Sequence, residues 1–421
     1  MDAAIEIIKS TSHLGSRPGT KRLEKLLKRM GNPQEHLKYI HVAGTNGKGS
    51  TCAMIAQILK ESGYQVGLFT SPYLEKINEQ IQINNEMISE EDLSILASLV
   101  NECMKQLTIE ELPTEFEIIT AIAFLYFHRK NCDFVVLETG LGGSFDATNV
   151  ISRKEVAVIT NIGIDHTQFL GNEISQIANH KAGIIVKDSI MVSYEQMQEV
   201  LEVLNERCDK CNVPSIYADF SKIKLINTSV KGQSFCYGDH QNLFLPLLGE
   251  HQLKNAAVAI ETINALIKKG FLIGESAIND GLAHVVWPAR FECLHEKPYV
   301  FLDGGHNTQC VSEFIKIINQ HFKDKRIIFV IGVMADKDYH GMFQLLAPYA
   351  KEFIAVRPKN ERALSTEELV DVLKQYGSSV YKCGPVHEGI TLSLNHATEQ
   401  DVICAIGSLY MAGEIRAYFK N

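Results

Sequence analysis

The chain has 421 residues, 45% of them hydrophobic and 22% charged, with a formal net charge of -9. That length is too great for one ordinary core and predicts two or three domains. The acidic balance argues against a nucleic-acid partner, which needs clustered lysine and arginine, but leaves room for small anions at local positive sites.

Residues 2–9 and 20–30 read as amphipathic helices, joined by the turn-rich loop Thr11 to Gly19. The acidic, amphipathic start is unlike a signal peptide, and no apolar run reaches the ~20 residues that span a bilayer. A cytoplasmic protein with no membrane partner is expected. Tyr39 to Ala43 is then a short apolar run that ends in the glycine-rich turn Gly44-Thr45-Asn46-Gly47-Lys48-Gly49-Ser50. Helical spacing follows, with Met54, Ile55, Ile58 and Leu59 on one face. Strand, glycine turn and helix start form a phosphate cradle: backbone N–H groups approach an anion, the helix N-terminus adds partial positive charge, and Lys48 adds a full one. The general P-loop pattern would want glycine at Val42 and a hydroxyl residue at Gly49, so the match is partial.

A second strand, Val66 to Phe69, runs into Thr70-Ser71-Pro72-Tyr73. Ligands sit beyond the carboxyl ends of parallel strands, which places Ser71 near a phosphate or metal. Thr114-Glu115-Phe116-Glu117 has the spacing of a capping box ahead of a long apolar helix. Phe134 to Leu137 ends in Glu138 and another glycine turn, and an oxygen ligand at that strand tip suits magnesium. Val156 to Ile159 leads to Asp165-His166, and Lys181 then lies among Ala178, Ala182, Ile184 and Ile185, where an amine is partly desolvated.

Residues 190–250 read as a small β-subdomain. Cys208 and Cys211 within it are taken as two free thiols at a helix end, with a zinc or redox pair as the alternative. Asn255 opens a helix that runs through Ile267. Trp287-Pro288-Ala289-Arg290-Phe291-Glu292 precedes a polar break at 295–298, read as the domain boundary. Strands at 299–303, 327–332, 353–357 and 402–406 alternate with helices beyond it, and the first ends in Asp303-Gly304-Gly305-His306-Asn307.

These stretches resemble, in order and spacing, the folylpolyglutamate synthase and dihydrofolate synthase branch of the Mur ligase superfamily. The resemblance rests on GTNGKGS, TSPYL, the Thr-x-Phe-Glu stretch, WPARFE and DGGHN, the last with Gly305 where alanine is commoner. It implies an α/β fold: a P-loop domain with a mainly parallel sheet over 1–294, and a smaller Rossmann-like domain over 299–421. It further implies an ATP-dependent ligase that adds L-glutamate to a reduced folate or dihydropteroate, with magnesium as cofactor and a monomeric state.

By the same resemblance Lys48, Lys181 (as a carbamate) and His306 are catalytic. Gly44, Thr45, Asn46, Gly47, Lys48, Gly49, Ser50, Asn255, Arg290 and Asp303 bind ATP, with Asn255 and Arg290 on one side of the nucleotide and Asp303 and His306 on the other. Ser71, Glu138 and His166 hold metal, and Thr114, Glu115, Phe116 and Glu117 contact the folate. Two other readings compete. A cell-wall ligase would need a nucleotide-sugar domain ahead of Tyr39. A non-catalytic regulator is disfavoured by intact Lys48, Glu138, His166 and Lys181.

Overall fold

The computed structural model describes residues 2–420 as two compact units. The first comprises the chain through Lys224 together with Phe235–Phe244 and Leu253–Val285. Its sheet contains β1 (Tyr39–Ala43), β2 (Val66–Phe69), β3 (Ile81–Ile83), β4 (Glu86–Met87), β5 (Phe134–Glu138), β6 (Val156–Ile159), β7 (Ile190–Ser193) and β8 (Ser215–Tyr217). Their order is β4-β3-β2-β5-β1-β6-β7-β8. The β2-to-β8 part is parallel, and β3 and β4 add an antiparallel edge.

The central strands β1, β2, β5 and β6 are buried along their whole length, as expected for parallel strands covered by helices on both faces. One apolar cluster joins Leu23, Phe69, Phe124, Phe127 and Leu137; another joins Ala43, Ile159, Ile177 and Met191. Register decides where the site falls. Val42 pairs with Glu138 and Ala43 with Ile159, so β1, β5 and β6 end level and their following turns meet at one edge.

The stretch expected as a β-subdomain divides. Strands β7 and β8 join the main sheet, with the helix Gln198–Cys211 between them, because the run is a strand–helix–strand unit with parallel pairing. The residues that form a separate three-stranded sheet are β9 (Ile223–Ser229), β10 (Gly232–Tyr237) and β11 (His240–Leu245).

The second unit holds Leu225–Ser234, Leu245–Gln252 and the chain from Val286 onward. Its sheet contains β12 (Glu292–Glu296), β13 (Tyr299–Leu302), β14 (Ile327–Ile331), β15 (Ala350–Ala355), β16 (Ser379–Lys382) and β17 (Val402–Ile406), in the order β12-β13-β17-β14-β15-β16. All pairs are parallel except β12 with β13. Phe301, Phe314, Phe329, Phe343 and Phe353 form the centre of its core.

The polar break at 295–298 is therefore a hairpin turn inside this unit, and the chain crosses into the unit earlier, at Val286. The polar segment resembles a linker because a short antiparallel edge strand carries little apolar signal. Among the described residues no helix is long and apolar enough to cross a membrane.

Candidate active site

The glycine turn after β1 is a rigid shelf. Gly47 adopts φ 86°, open to glycine without strain, and caps the helix Lys48–Glu61. The turn is bound to the end of β6: Thr45 N–H donates to Asn161 O (2.7 Å), and Thr160 Oγ1 donates to Asn46 O (2.8 Å). Thr45 Oγ1 also donates to Gly163 O at 2.9 Å. Gly44 is required by this approach, since a Cβ there would lie 1.8 Å from Thr160 Oγ1.

Two lysines converge on this shelf. Lys48 Nζ donates to Gly44 O (3.2 Å) and Thr45 O (3.1 Å), while Lys181 Nζ donates to the same Gly44 O at 2.7 Å. Lys181 sits in the last turn of the helix Ile174–Ala182 and is buried. Burial, reinforced by the neighbouring Lys48 charge and opposed by Asp165 and Asp146, brings its pKa down to about 7. Gly44, Lys48, Gly140, Asp165, His166 and Lys181 line one small cavity.

The expected metal residues fall into two groups. Ser71 N–H donates to Glu138 Oε2 (3.1 Å), joining the ends of β2 and β5. The buried thiol of Cys52 is pushed up by burial and by Glu138 and drawn down by Lys48. His166 instead lines the cavity of Lys48 and Lys181, with φ 51°, its N–H on Asp165 Oδ1 (2.8 Å) and its ring half exposed. Among the described residues no cluster of three or more His, Cys, Asp or Glu side chains has metal-binding geometry. The Ser71–Glu138 pair nevertheless fits magnesium, a hard cation that takes one or two carboxylates plus phosphate oxygens and water.

In the Thr114–Glu117 stretch both halves of the capping box are made: Thr114 N–H donates to Glu117 Oε2 (2.7 Å), and Glu117 N–H to Thr114 Oγ1 (3.3 Å). Glu117 is also buried against Arg22, whose Nη2 lies 3.1 Å from Oε1. These two side chains thus anchor the helix Glu115–Arg129 to the helix Lys21–Arg29. Glu115 has its pKa raised by burial, with Lys9 opposing, and the Phe116 ring packs where a Cβ on Gly140 would fall, 2.6 Å away. Phe116 and Glu115 are therefore the members of the stretch whose side chains border the glycine turn or stand outside the cap.

Asn255 is buried in the helix Glu250–Lys268, within a turn and a half of its start. Its Oδ1 accepts from Tyr194 Oη and lies 2.4 Å from where a Cβ on Gly47 would project, so it touches the phosphate shelf. Arg290 belongs to the second unit with Asp303, and not to the Asn255 side as the sequence suggested. There Asp303 accepts from Phe291 N–H (2.9 Å) and Gly305 N–H (2.7 Å), and Gly304 N–H donates to Ala289 O (2.9 Å). Burial raises the Asp303 pKa, while the Arg290 charge and those N–H donors oppose the rise. His306 donates Nδ1–H to Gly304 O at 2.9 Å, and Asn307 caps the helix Thr308–His321. Gly305 leaves this turn tightly pinned; a Cβ there would come within 2.9 Å of Asp303 Oδ1.

Sequence reasoning missed Thr160, Asp146 and Arg22. Asp146 is buried and accepts from Leu141 N–H (2.6 Å) and Thr148 N–H (2.9 Å), so it shapes the glycine turn after β5. Its signal was available: an aspartate two residues before threonine, closing a glycine-rich run, is an Asx turn. Cys208 and Cys211 are free thiols at a helix end, and burial lifts Cys208 to about 11.

The Lys181 environment has a measurable consequence. A lysine with folded pKa near 7 and unfolded pKa near ~10.4 leaves the unfolded chain holding more protons between those values. In carbon dioxide-free buffer, wild type should therefore gain unfolding free energy relative to Lys181→Met as pH rises from about 7 to about 10, by on the order of a few kcal/mol. Parallel stability–pH curves for the two proteins would contradict this assignment.

Comparison with known proteins agrees with this architecture. Residues 42–263 match the Mur ligase middle domain, and residues 289–409 the Mur ligase glutamate ligase domain. The dihydrofolate synthase/folylpolyglutamate synthase of Bacillus subtilis is 36% identical over 96% of each chain. The folylpolyglutamate synthase of Lacticaseibacillus casei is 34% identical over 98% of this chain and 97% of its own. The solved structure of Mycobacterium tuberculosis folylpolyglutamate synthase with ADP and AMPPCP superposes with a TM-score of 0.91 at 30% identity, covering 99% of both chains. The chain belongs to the Mur ligase family, in its folylpolyglutamate synthase/dihydrofolate synthase branch.

Proposed function

We propose that this chain is an ATP-dependent carboxylate–amine ligase that adds L-glutamate in γ-linkage to a reduced folate or its polyglutamate. Dihydropteroate is proposed as a second acceptor, because relatives are named for dihydrofolate synthase as well as folylpolyglutamate synthase. The observation that carries the reading is the sharing of one carbonyl, Gly44 O, by Lys48 and Lys181 on a glycine shelf at the strand ends. A cytoplasmic monomer is proposed with it.

A carboxylate is a poor electrophile, so the reaction needs activation. The turn from Gly44 to Ser50 is proposed to bind the phosphates through its backbone N–H groups, with Asn255 against the shelf. A carboxylate oxygen of the folate attacks the γ-phosphorus, the bond to the β-phosphate oxygen breaks, and ADP leaves. Lys48 neutralises charge on the transferring group, where fixed positive charge is worth most in a site shielded from water. Magnesium, when bound, would be held by Ser71 and Glu138 and would supply charge neutralisation, with His166 proposed as a further ligand from the cavity side. The glutamate amine then forms the C–N bond and gives up one proton, and phosphate leaves with the C–O bond electrons. Within the second unit Arg290 and Asp303 are proposed as nucleotide-binding residues and His306 as a catalytic one, its ring set by its Gly304 bond.

Lys181 is proposed to act as a carbamate. Burial brings its pKa down to about 7, and the neutral amine so favoured adds carbon dioxide with release of one proton. The product is an anionic oxygen donor in place of a second cation beside Lys48.

Two measurements test these assignments. Release of ADP that depends on both reduced folate and glutamate should vanish in Lys48→Ala while the protein remains folded, since alanine suits the first helical position and a partly exposed lysine there adds little stability; near-normal turnover would remove Lys48 from the mechanism. Lys181→Ala should lose most activity and regain part of it with added acetate. Full activity without rescue would exclude the carbamate.

A further inference from the structure

Behind the cavity lies a second buried lysine that the reaction scheme leaves unused. Lys154 sits between the turn Ala147–Val150 and β6 and is 3% exposed. Its Nζ donates to Asn149 Oδ1 at 2.6 Å and to Ile184 O at 2.7 Å. Both acceptors are neutral, so no ion pair offsets the burial of this amine, which is costly unless its hydrogen bonds are well made. Burial drives its pKa well below the ordinary value, Arg207 adds to that, and Asp146 opposes it. Two acceptors meet this amine.

What those acceptors belong to gives the lysine its role. Ile184 N–H donates to Lys181 O (3.2 Å), so Ile184 closes the turn that directly follows the helix bearing Lys181. Asn149 Nδ2 donates to Gly183 O (3.3 Å) and Ser144 O (3.4 Å), and Ser144 N–H donates to His180 O (2.7 Å). The two segments are in backbone contact: a Cβ on Gly143 would lie 2.5 Å from His180 O, and one on Gly183 2.4 Å from Ser144 Cβ. One segment carries Gly140 and Gly142, the other carries Lys181, and all three line the cavity with Lys48.

We infer that Lys154, acting with Asn149, is a positioning residue for the ligase reaction: it clamps the end of the Lys181 helix to the glycine turn after β5 and so holds Lys181 on Gly44. The inference rests on the proposed ligase function. It needs no contact between Lys154 and any substrate, and predicts an effect on the chemical step, where an ångström of misplacement can cost one to two orders of magnitude.

The test compares wild type with Lys154→Met, Asn149→Leu and the double variant, using ATP, a reduced folate and L-glutamate. Each single variant should lower kcat about tenfold and leave the KM for ATP within about twofold, because the phosphate shelf is untouched. The double variant should be no slower than Lys154→Met, since one clamp can be lost only once. Amide hydrogen exchange at Ser144 and Ile184 should quicken at least several-fold in the variants, a readout that does not depend on turnover. A folded Lys154→Met protein with kcat within twofold of wild type overturns the inference, as does unchanged exchange at those amides. If Lys154→Met does not fold, Asn149→Leu decides the matter by the same two readouts. Inactivity of wild type with every folate would instead refute the ligase reading, and the exchange result would still decide the clamp.

Discussion

The carbonyl of Gly44 is the point on which the first unit's chemistry turns. It accepts from Lys48, which belongs to the helix that follows it, and from Lys181, which arrives from a helix 137 residues further along the chain. That double use is possible only because Gly44 has no side chain, for Thr160 occupies the space a Cβ would take. Thr160 is in turn placed by the pairing of β6 with β1. A local glycine turn is thereby made rigid by a non-local strand, and backbone N–H groups are preorganised for an anion without help from the ligand.

Placing two amines on one carbonyl creates an electrostatic problem. Burial penalises the charged form of Lys181, the Lys48 charge beside it adds to the penalty, and its pKa comes down to about 7. Lys154, equally buried, is likewise driven toward neutrality by burial, with Arg207 adding to the effect. The segments behind the cavity are thus tied together by buried lysines acting as hydrogen-bond donors, Lys181 in its uncarbamylated form, and Lys48 is the partly exposed lysine on the shelf. One residue type serves two purposes, separated by depth.

Much of this is legible in the sequence because strand-end residues announce themselves: apolar runs that stop in glycine, acid or histidine mark β1, β5, β6 and β13 and their turns. Strands without that pattern escape notice. The edge strands β12 and β16 are polar, so β12 reads as a domain boundary. Contacts that depend on depth are equally hidden. Nothing in the residues around Lys154 shows that its amine would meet Ile184 O, 30 positions away, because only the packed sheet brings them together. The Thr114–Glu117 pair is recognisable as a cap from spacing, but its buried ion pair with Arg22 requires the helix packing. The grouping of Arg290 with Asn255 fails for the reverse reason: a position near an expected boundary says nothing about which unit the residue joins.

The central claim is that the shelf activates a carboxylate by phosphorylating it. The most direct measurement labels the folate carboxylate with oxygen-18 and follows the label during ATP- and glutamate-dependent turnover. An acyl phosphate requires one labelled oxygen to leave with each phosphate released. Phosphate free of the label, at normal turnover, would show that the amide forms by another route and would contradict the account.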